Sequence, residues 1–366
     1  MTTRRVPRMR PASVLGEAWR DLATGTSHAF LFTLVFALLV GSLALVASAD
    51  VAREVRAARD YQASGASIQT LTYDGRVDGA ACEALASLHG VRAAGAIRAS
   101  ADDVVDLALP SSPLSTFDVT ESFRDLLSIT AQEATPGVLL ADSLADDLDA
   151  HPGSRLTTTA GVAPIAATFS FPDDGRRGDL GSALLVPQSA VTTLPYDQCW
   201  VDVWPQNDEV LRLLRTTVTS MDGQDTPVVL PLNSRLGSTF VARGDDILTI
   251  GRAAAVGGSF VGFSLGYLAV RLRRLELAAA RHVGVPLGAQ AFGQLAQAST
   301  WTVVGALVAV LPVVWSGVDV GPPDAAAIAV PGIAVVVSAG VTVLAGVALG
   351  LVTTRERHLF RYFKER

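Results

Sequence analysis

The stretch His28–Ala49, HAFLFTLVFALLVGSLALVASA, contains 22 residues without an Asp, Glu, Lys or Arg side chain. A helix rises about 1.5 Å per residue, so this length spans the roughly 30 Å hydrocarbon core of a bilayer. A secretory signal peptide is the alternative, but its apolar core would have only ~7–15 residues. The stretch therefore predicts a retained transmembrane helix over residues 28–49.

Three further apolar stretches lie close together near the other end of the chain, at residues 246–270, 295–315 and 327–352. Each has the length and composition of a membrane span, and the interior of the stretch 246–270 is interrupted only by Arg252. The spans are therefore spaced as one plus three, with residues 50–245 between the first and the second. A mean hydropathy of +0.37 fits a chain that is part membrane and part soluble domain.

The arginines and the single lysine favour one orientation in the membrane. They are concentrated in residues 1–27, in the loop 271–290 and in the tail 353–366, whereas the short loop 316–326 has none. Cytoplasmic segments carry an excess of basic residues. We therefore expect a multi-pass protein of the cell (plasma) membrane with both termini cytoplasmic, and with residues 50–245 and 316–326 outside.

The region 50–245 has 14 arginines and 27 Asp and Glu residues, a net charge of 14 − 27 = −13. This acidity argues against nucleic acid as a partner. Charged residues from Asp50 to Arg59 predict that the first span continues as a polar helix. Beyond it, β-branched or alternating runs predict strands and longer periodic runs predict helices, which together indicate an α+β domain with two lobes. The predicted strands are 67–73, 92–99, 104–109, 155–159, 164–171, 182–187 and 199–204, and the predicted helices are 78–89, 139–149 and 207–221.

Both cysteines, Cys82 and Cys199, lie in this region. An even count in an oxidising compartment allows a disulfide, which would close a long loop and add ~4 kcal/mol in the chain-entropy model. Two separate buried thiols are the alternative, since Cys82 falls in a helical pattern and Cys199 begins a strand. Spacing along the chain does not decide between them.

No catalytic constellation is present in the sequence. It contains no G-x-x-x-x-G-K-[ST], H-E-x-x-H or C-x-x-C, and its five histidines are scattered. The acidic pairs Asp102–Asp103, Asp146–Asp147 and Asp173–Asp174 are typical of turns and solvated faces. We therefore expect a protein that is not an enzyme and that holds no metal or cofactor of its own.

Gly258, Gly262 and Gly266 recur at four-residue intervals in the second span, and Gly346 and Gly350 form a weaker version in the fourth. Such small residues let helix backbones approach closely in lipid. The glycine face could pack against another helix of the same chain or against a second subunit. We favour the second interpretation, a packing seam between two subunits.

The inner loop reads Arg271-Leu-Arg-Arg-Leu-Glu-Leu-Ala-Ala-Ala-Arg-His-Val-Gly-Val-Pro286. Its apolar residues recur at approximately helical spacing, and Gly284 and Pro286 end the predicted helix. It could be a basic helix next to the membrane or a knob that docks into a partner's groove. Before the first span, Leu15, Trp19 and Leu22 form a stripe at i, i+4 and i+7, typical of an amphipathic helix in contact with membrane lipid.

Arg273-Arg274-Leu275-Glu276-Leu277-Ala278, followed by Arg281 and Gly284, resembles the R-R-x-E-[IL]-A-x-x-[RK]-x-x-G segment of MacB/FtsX-like permeases. These are the type VII, or mechanotransmission, permease subunits of ABC transporters, and the one-plus-three spacing is similar too. Residues 136–145, 152–156 and 183–187 resemble patterns of that family's outer domain. The run 282–286, His-Val-Gly-Val-Pro, departs from the family's usual A-[LI]-G-[AM].

The resemblance implies that Arg273, Arg274, Glu276, Leu277, Arg281 and Gly284 contact an ATPase. It implies a dimeric ABC-type ATPase partner, which supplies the ATP and Mg²⁺ chemistry, and a second identical or homologous permease; it also leaves room for an extracytoplasmic partner. The implied function is export or extraction of a hydrophobic or amphipathic substrate, such as a peptide, lipid, haem or drug, by motion of the outer domain. The alternative is an FtsX-like regulatory permease that transmits the ATPase state to cell-envelope enzymes.

Overall fold

The structure is a computed structural model that describes residues 10–101, 104–107, 112–129, 136–178, 180–192, 194–219 and 226–354. Asp102, Asp103 and most basic residues of the two tails lie outside these ranges. The chain divides into two compact units. The helical unit consists of Met1–Arg56 and Ala242–Arg366, and the sheet unit consists of Ala57–Val241.

Helices occur in both units, and four of them are long and apolar enough to cross a membrane. These are α2 (Ala29–Ala63), α7 (Gly244–Leu272), α9 (Leu287–Trp315) and α10 (Pro322–Thr353). The second of these, α7, closely matches the predicted span. Helix α2 continues 14 residues past Ala49 as the charged pattern predicted, and α9 begins eight residues before Leu295. In the described ranges the α-helices are α1 Pro11–Ala23, α2 Ala29–Ala63, α3 Gly79–Ala84, α4 Phe123–Leu126, α5 Asp142–Asp147, α6 Asp208–Leu214, α7 Gly244–Leu272, α8 Arg274–His282, α9 Leu287–Trp315 and α10 Pro322–Thr353.

The glycine face of α7 packs against α10 of the same chain. A Cβ atom at Gly262 or Gly266 would overlap the carbonyl oxygen of Ala339 or Val343, and Gly346 of α10 lies equally close to Phe263. The Thr342 hydroxyl also donates to the Ser259 carbonyl at 2.8 Å. The predicted subunit seam at Gly258, Gly262 and Gly266 is therefore wrong, because this face is already covered within the chain.

Helix α2 packs against α9 through aromatic side chains. The Phe32 and Phe36 rings lie 5.4 and 6.3 Å from the Trp301 ring. Gly41 and Gly305 allow the two backbones to come close, since a Cβ at Gly41 would lie 3.3 Å from Ala309. The apolar core of the helical unit is thus built mainly from facing sides of α2, α7, α9 and α10.

One mixed sheet forms the frame of the sheet unit. With the strands numbered β1 to β10 along the chain, by the ranges given at the end of this paragraph, their order is β10-β1-β9-β2-β4-β8-β5-β7-β6, and β3 pairs with β4. Pairs β4–β8 and β5–β7 are parallel and the others are antiparallel. The strands are β1 Ile68–Val77, β2 Val91–Ala99, β3 Val104–Val105, β4 Pro113–Thr120, β5 Val138–Ala141, β6 Arg155–Thr158, β7 Gly161–Phe169, β8 Ala183–Gln188, β9 Tyr196–Val203 and β10 Val228–Pro231.

The α+β composition agrees with the sequence prediction, but the two predicted lobes share a single sheet. The pairing of Ile97–Ala99 in β2 with Phe117–Val119 in β4 joins the two halves. Strand β4 has no clear alternation and was not predicted. The predicted helix over 139–149 is partly wrong, because Val138–Ala141 is a buried strand and only Asp142–Asp147 is helical. A short run buried on both faces has no periodicity that separates strand from helix.

The disulfide joins α3 to β9, an interior strand of the sheet. Cys82 of α3 bonds to Cys199 of β9, with Cα atoms 5.8 Å apart. Asp78 positions α3, because its carboxylate accepts hydrogen bonds from the amides of Ala80 and Ala81. Along β9, Cys199, Val201 and Val203 join one buried cluster and Trp200 joins the other. The strand therefore places the disulfide on one face of the sheet and Trp200 on the opposite face.

Candidate partner-docking site at helix α8

Helix α8 is a short element set off by a break at each end. Helix α7 ends at Leu272, and Arg273 leaves helical geometry with φ −100° and ψ 12° before α8 begins at Arg274. At the other end, Gly284 has a φ of +96°. The Val285 amide donates to the Ala280 carbonyl at 3.0 Å, the bond that closes a Schellman motif. Gly284 is thus required by the turn that ends α8.

Arg273 points into the helical unit, where it joins three helices. Its Nη2 donates to Asp21 of α1 at 2.7 Å, its Nη1 to Gln297 of α9 at 2.8 Å and its Nε to Glu276 of α8 at 2.8 Å. Gln297 also donates to the same Asp21 carboxylate at 3.0 Å. The Arg273 side chain is only 14% exposed. Burial lowers its pKa, but the hydrogen bonds to Asp21 and Glu276 outweigh burial, so the pKa is raised overall.

Arg281 makes a second anchor near the end of α8. Its Nε donates to Gln290 of α9 at 2.9 Å, and its two Nη groups donate to the backbone carbonyls of Thr354 and Leu351 at the end of α10. Gln290 in turn donates to the Leu277 carbonyl at 3.1 Å. Because the last carbonyls of a helix have no partner within it, the guanidinium satisfies groups that α10 cannot.

The six residues of the family-like motif differ in how far their side chains are exposed. Arg273 and Arg281 are anchors, and Leu277 packs in the core of the helical unit. Arg274 is half-buried, and Gly284 shapes the turn. Glu276 is 63% exposed even though it is paired with Arg273. Of the six residues predicted to contact an ATPase, Glu276 is thus the side chain most open to a partner.

An exposed face runs along α8 on the side away from the anchors. It consists of Glu276, Ala279 and Val283, at positions i, i+3 and i+7. Residues at this spacing lie on one side of a helix. Val283 is 83% exposed. We call these three residues the α8 face; it has one carboxylate at its start and apolar side chains beyond it.

The three residues of the predicted stripe on α1 differ in exposure. Trp19 and Leu15 are 68% and 45% exposed, whereas Leu22 is half-buried. On its other side α1 packs on α9, where a Cβ at Gly293 would lie 3.3 Å from Val14. Trp19 and Leu15 are thus exposed on α1, and their contact with membrane lipid stays a prediction.

Three anchor partners were missed by the sequence analysis: Asp21, Gln290 and Gln297. Gln290 and Gln297 are buried and seven residues apart, on one side of α9. Two glutamines at this spacing at the start of an apolar helix are a signal for a shared polar contact. Asp21, in contrast, lies 252 positions from Arg273, and no local pattern connects them.

The Arg281 hydrogen bonds predict that an Arg281 variant is less stable than a variant of an exposed neighbour. Arg281→Ala is expected to lower the stability of the helical unit by about 1.5–3 kcal/mol, since it removes charged hydrogen bonds to buried acceptors. Thermal unfolding of the full chain in detergent measures this. Val283→Ala, which shortens an 83% exposed side chain two residues further on, is the control. Equal stability of the two variants would show that the Arg281 bonds carry no net energy.

In the described ranges, no group of three or more His, Cys, Asp and Glu side chains lies close enough to hold a metal ion. The α8 segment offers hydrogen-bonded guanidinium groups and an exposed apolar helix face. Such a face can bind another protein.

Comparison with known proteins yields limited similarity. No family model matches the chain, and no curated protein matches it. Among solved structures, it is similar to the crystal structure of the periplasmic region of MacB from Actinobacillus actinomycetemcomitans, with a TM-score of 0.35 and 11% sequence identity. That match covers 48% of this chain and 94% of the other. A similarity of this size is too low to establish a shared fold.

Proposed function

We propose that the chain is the permease subunit of an ABC-type transporter and that a separate ATPase docks on the α8 face. The observation that carries this proposal is the division of α8 into an outward apolar face and an inward pair of arginine anchors. The family-like motif lies on this same helix, and the sequence has no Walker A motif with which to bind ATP itself. ATP and Mg²⁺ would then belong to the partner.

The two arginine anchors give a physical reason for placing the ATPase contact at α8. A partner that pushes on a flexible loop deforms only the loop, whereas α8 is bonded to α1, α9 and α10 within one packed unit. Packed interiors have low compressibility and transmit displacement. Motion of the ATPase subunits would therefore be passed to the apolar helices, and by α2 and α7 along the chain to the sheet unit.

In this proposal the moving sheet unit exports or extracts a hydrophobic or amphipathic molecule. The long helices carry few ionisable side chains in their apolar windows, whereas a polar transport route through the bilayer would tend to require them. A second permease copy, or a homologous one, completes the assembly. Because the α7 glycine face is covered by α10, that copy must contact a different surface.

Ala279→Glu tests the docking face. Ala279 is exposed and lies near the middle of the α8 face, so a new carboxylate should disturb a partner without disturbing the fold. We expect the tagged wild-type chain to bring down an ATPase subunit from native membranes, and Ala279→Glu to lose most of it. The measurement is the amount of co-purified ATPase and of permease-stimulated ATP hydrolysis.

Ala326→Glu is the matched control, because it places the same side chain on an exposed alanine in the first turns of α10. This variant should retain the partner. If no ATPase accompanies the wild-type chain, the transporter proposal is wrong. If Ala279→Glu retains as much ATPase as Ala326→Glu, the partner binds elsewhere.

A further inference from the structure

A cavity of about 640 Å³ lies in the sheet unit, far along the sequence from α8. Its polar lining includes Arg59, Arg92 and Arg176. This is a concentration of cations in an acidic unit, since Ala57–Val241 contains 11 arginines and 24 acidic residues, a net charge of 11 − 24 = −13. A small-molecule site of ordinary size occupies about 300–1,000 Å³.

A β-bulge turns Arg92 toward this cavity. In the pairing of β2 with β9, Val91 opposes Val203 and Ala93 opposes Asp202, so Arg92 is the additional residue. Regular alternation would put Arg92 and Ala93 on opposite faces of the sheet. Instead both line the cavity. Bulges re-aim side chains in this way and are frequent beside binding sites.

Neighbouring groups hold the Arg92 guanidinium in position. Arg92 pairs with Asp202 at 2.7 Å and donates to Gln62 at 2.6 Å and to Ser67 at 3.1 Å. The Arg92 side chain is nevertheless 41% exposed. Its position is therefore set by neighbours while part of the guanidinium still faces solvent.

The Arg176 guanidinium, also in the lining, is held by its own neighbours. It donates to the Ala63 carbonyl at 2.6 Å, pairs with Asp174 at 3.3 Å and lies 5.6 Å from the centre of the Phe171 ring. A guanidinium has five N–H donors, and these contacts use only some of them. Fixed arginines of this kind are suited to carboxylate and phosphate groups, because little side-chain entropy is lost on binding.

The rest of the lining combines an apolar wall with few opposing charges. Ile68, Ala93, Leu126, Leu127 and Pro172 supply the apolar part. Asp202 is occupied by Arg92, and Asp125 lies exposed at the rim. Ser128, also in the lining, has a φ of +58° in the turn after α4, where glycine is the usual residue. A ligand that fits has an anionic group and a short apolar body.

We infer that this cavity binds an amphipathic molecule through a carboxylate or phosphate group, held between Arg92 and Arg176 with its apolar part against the Leu126–Leu127 wall. The site lies in a different unit from α8, and ligand binding here needs no ATPase. Loss of the α8 pull-down would leave this inference intact, and failure of ligand binding would leave the docking proposal intact.

Calorimetric titration of the full chain in phosphatidylcholine nanodiscs tests the inference, with uptake by empty nanodiscs subtracted. The probes are octanoate, octyl phosphate, octanol and inorganic phosphate. We expect octanoate or octyl phosphate to bind at least about tenfold more tightly than octanol or inorganic phosphate, and the tighter of the two anions identifies the headgroup. Binding should weaken as salt is raised. Octanol binding as tightly as the anions, or inorganic phosphate as tightly as octyl phosphate, would overturn the inference.

Arg92→Gln and Arg176→Gln should each weaken the preferred anion about tenfold or more, since each loses charge-assisted hydrogen bonds. Arg155→Gln is the control, because it removes the same charge from an exposed position on β6, at the far edge of the sheet. If Arg155→Gln weakens binding as much, net charge and not the cavity explains it. The salt dependence of the wild-type chain supplies a result even if one variant does not fold.

Discussion

Gly266→Ala is expected to destabilise the helical unit by about 3 kcal/mol or more. The added Cβ would overlap the carbonyl oxygen of Val343 and lie 3.1 Å from its Cα. Both are backbone atoms, so no change of rotamer can relieve the overlap, and α7 and α10 must separate. The midpoint of thermal unfolding of the detergent-solubilised chain measures the effect.

Gly257→Ala, at the residue directly before Gly258 in α7, is the matched control. Its Cβ would meet Leu43 at 3.6 Å, an ordinary contact, and alanine is favoured over glycine in helices by about 1 kcal/mol. This variant should be as stable as the wild type or more so. A seam between subunits would give a different outcome, in which Gly266→Ala dissociates an oligomer but leaves the unfolding midpoint of the monomer unchanged. That outcome would contradict the packing described above.

Replacing both cysteines, Cys82→Ala with Cys199→Ala, is expected to lower the free energy of unfolding of the sheet unit by about 4–5 kcal/mol. The disulfide joins residues 117 positions apart, and the chain-entropy model assigns about this value to a loop of that length. Urea unfolding of the full chain, followed by near-ultraviolet circular dichroism, measures the shift in midpoint. Reductant should shift the wild-type chain in the same direction.

The double variant should no longer respond to reductant, which separates loss of the disulfide from other effects of reducing conditions. Both sulfur-bearing side chains are fully buried, so reduction of the folded chain should be slow and should follow unfolding. An oxidised wild-type chain that unfolds at the same urea concentration as the double variant would show that the cross-link does not stabilise the unit.

Local periodicity predicted the helices well and the contacts between them poorly. The four apolar helices, the break before Gly284 and the close-packing glycines of α7 follow from composition and spacing. Which helix covers those glycines does not, because a flat small-residue face is equally suited to α10 and to a second subunit. Arg273 and Arg281 look like basic loop residues in the sequence, yet both point inward, since Asp21, Gln290 and the end of α10 lie beside them.

In the sheet, too, local patterns predicted individual strands but not how they pack. Alternation identified strands such as β2 and β9, whereas β5 was assigned to a helix because a short run buried on both sides has no period. The position of Arg92 depends on a bulge that appears only when β2 is aligned with β9. The pattern of β2 alone would put Arg92 on the opposite face.

The one-plus-three arrangement of apolar helices, the acidic α+β region between them and the short helix between the second and third could all be predicted from the sequence. These features depend on hydropathy, charge and turn residues within a few positions of one another. Tertiary contacts were needed to show that the α7 glycines face α10, that the motif arginines are anchors and that three arginines share a cavity. Each of those outcomes depends on contacts between segments far apart in the chain, such as Asp21 and Arg273, which leave no trace in local periodicity.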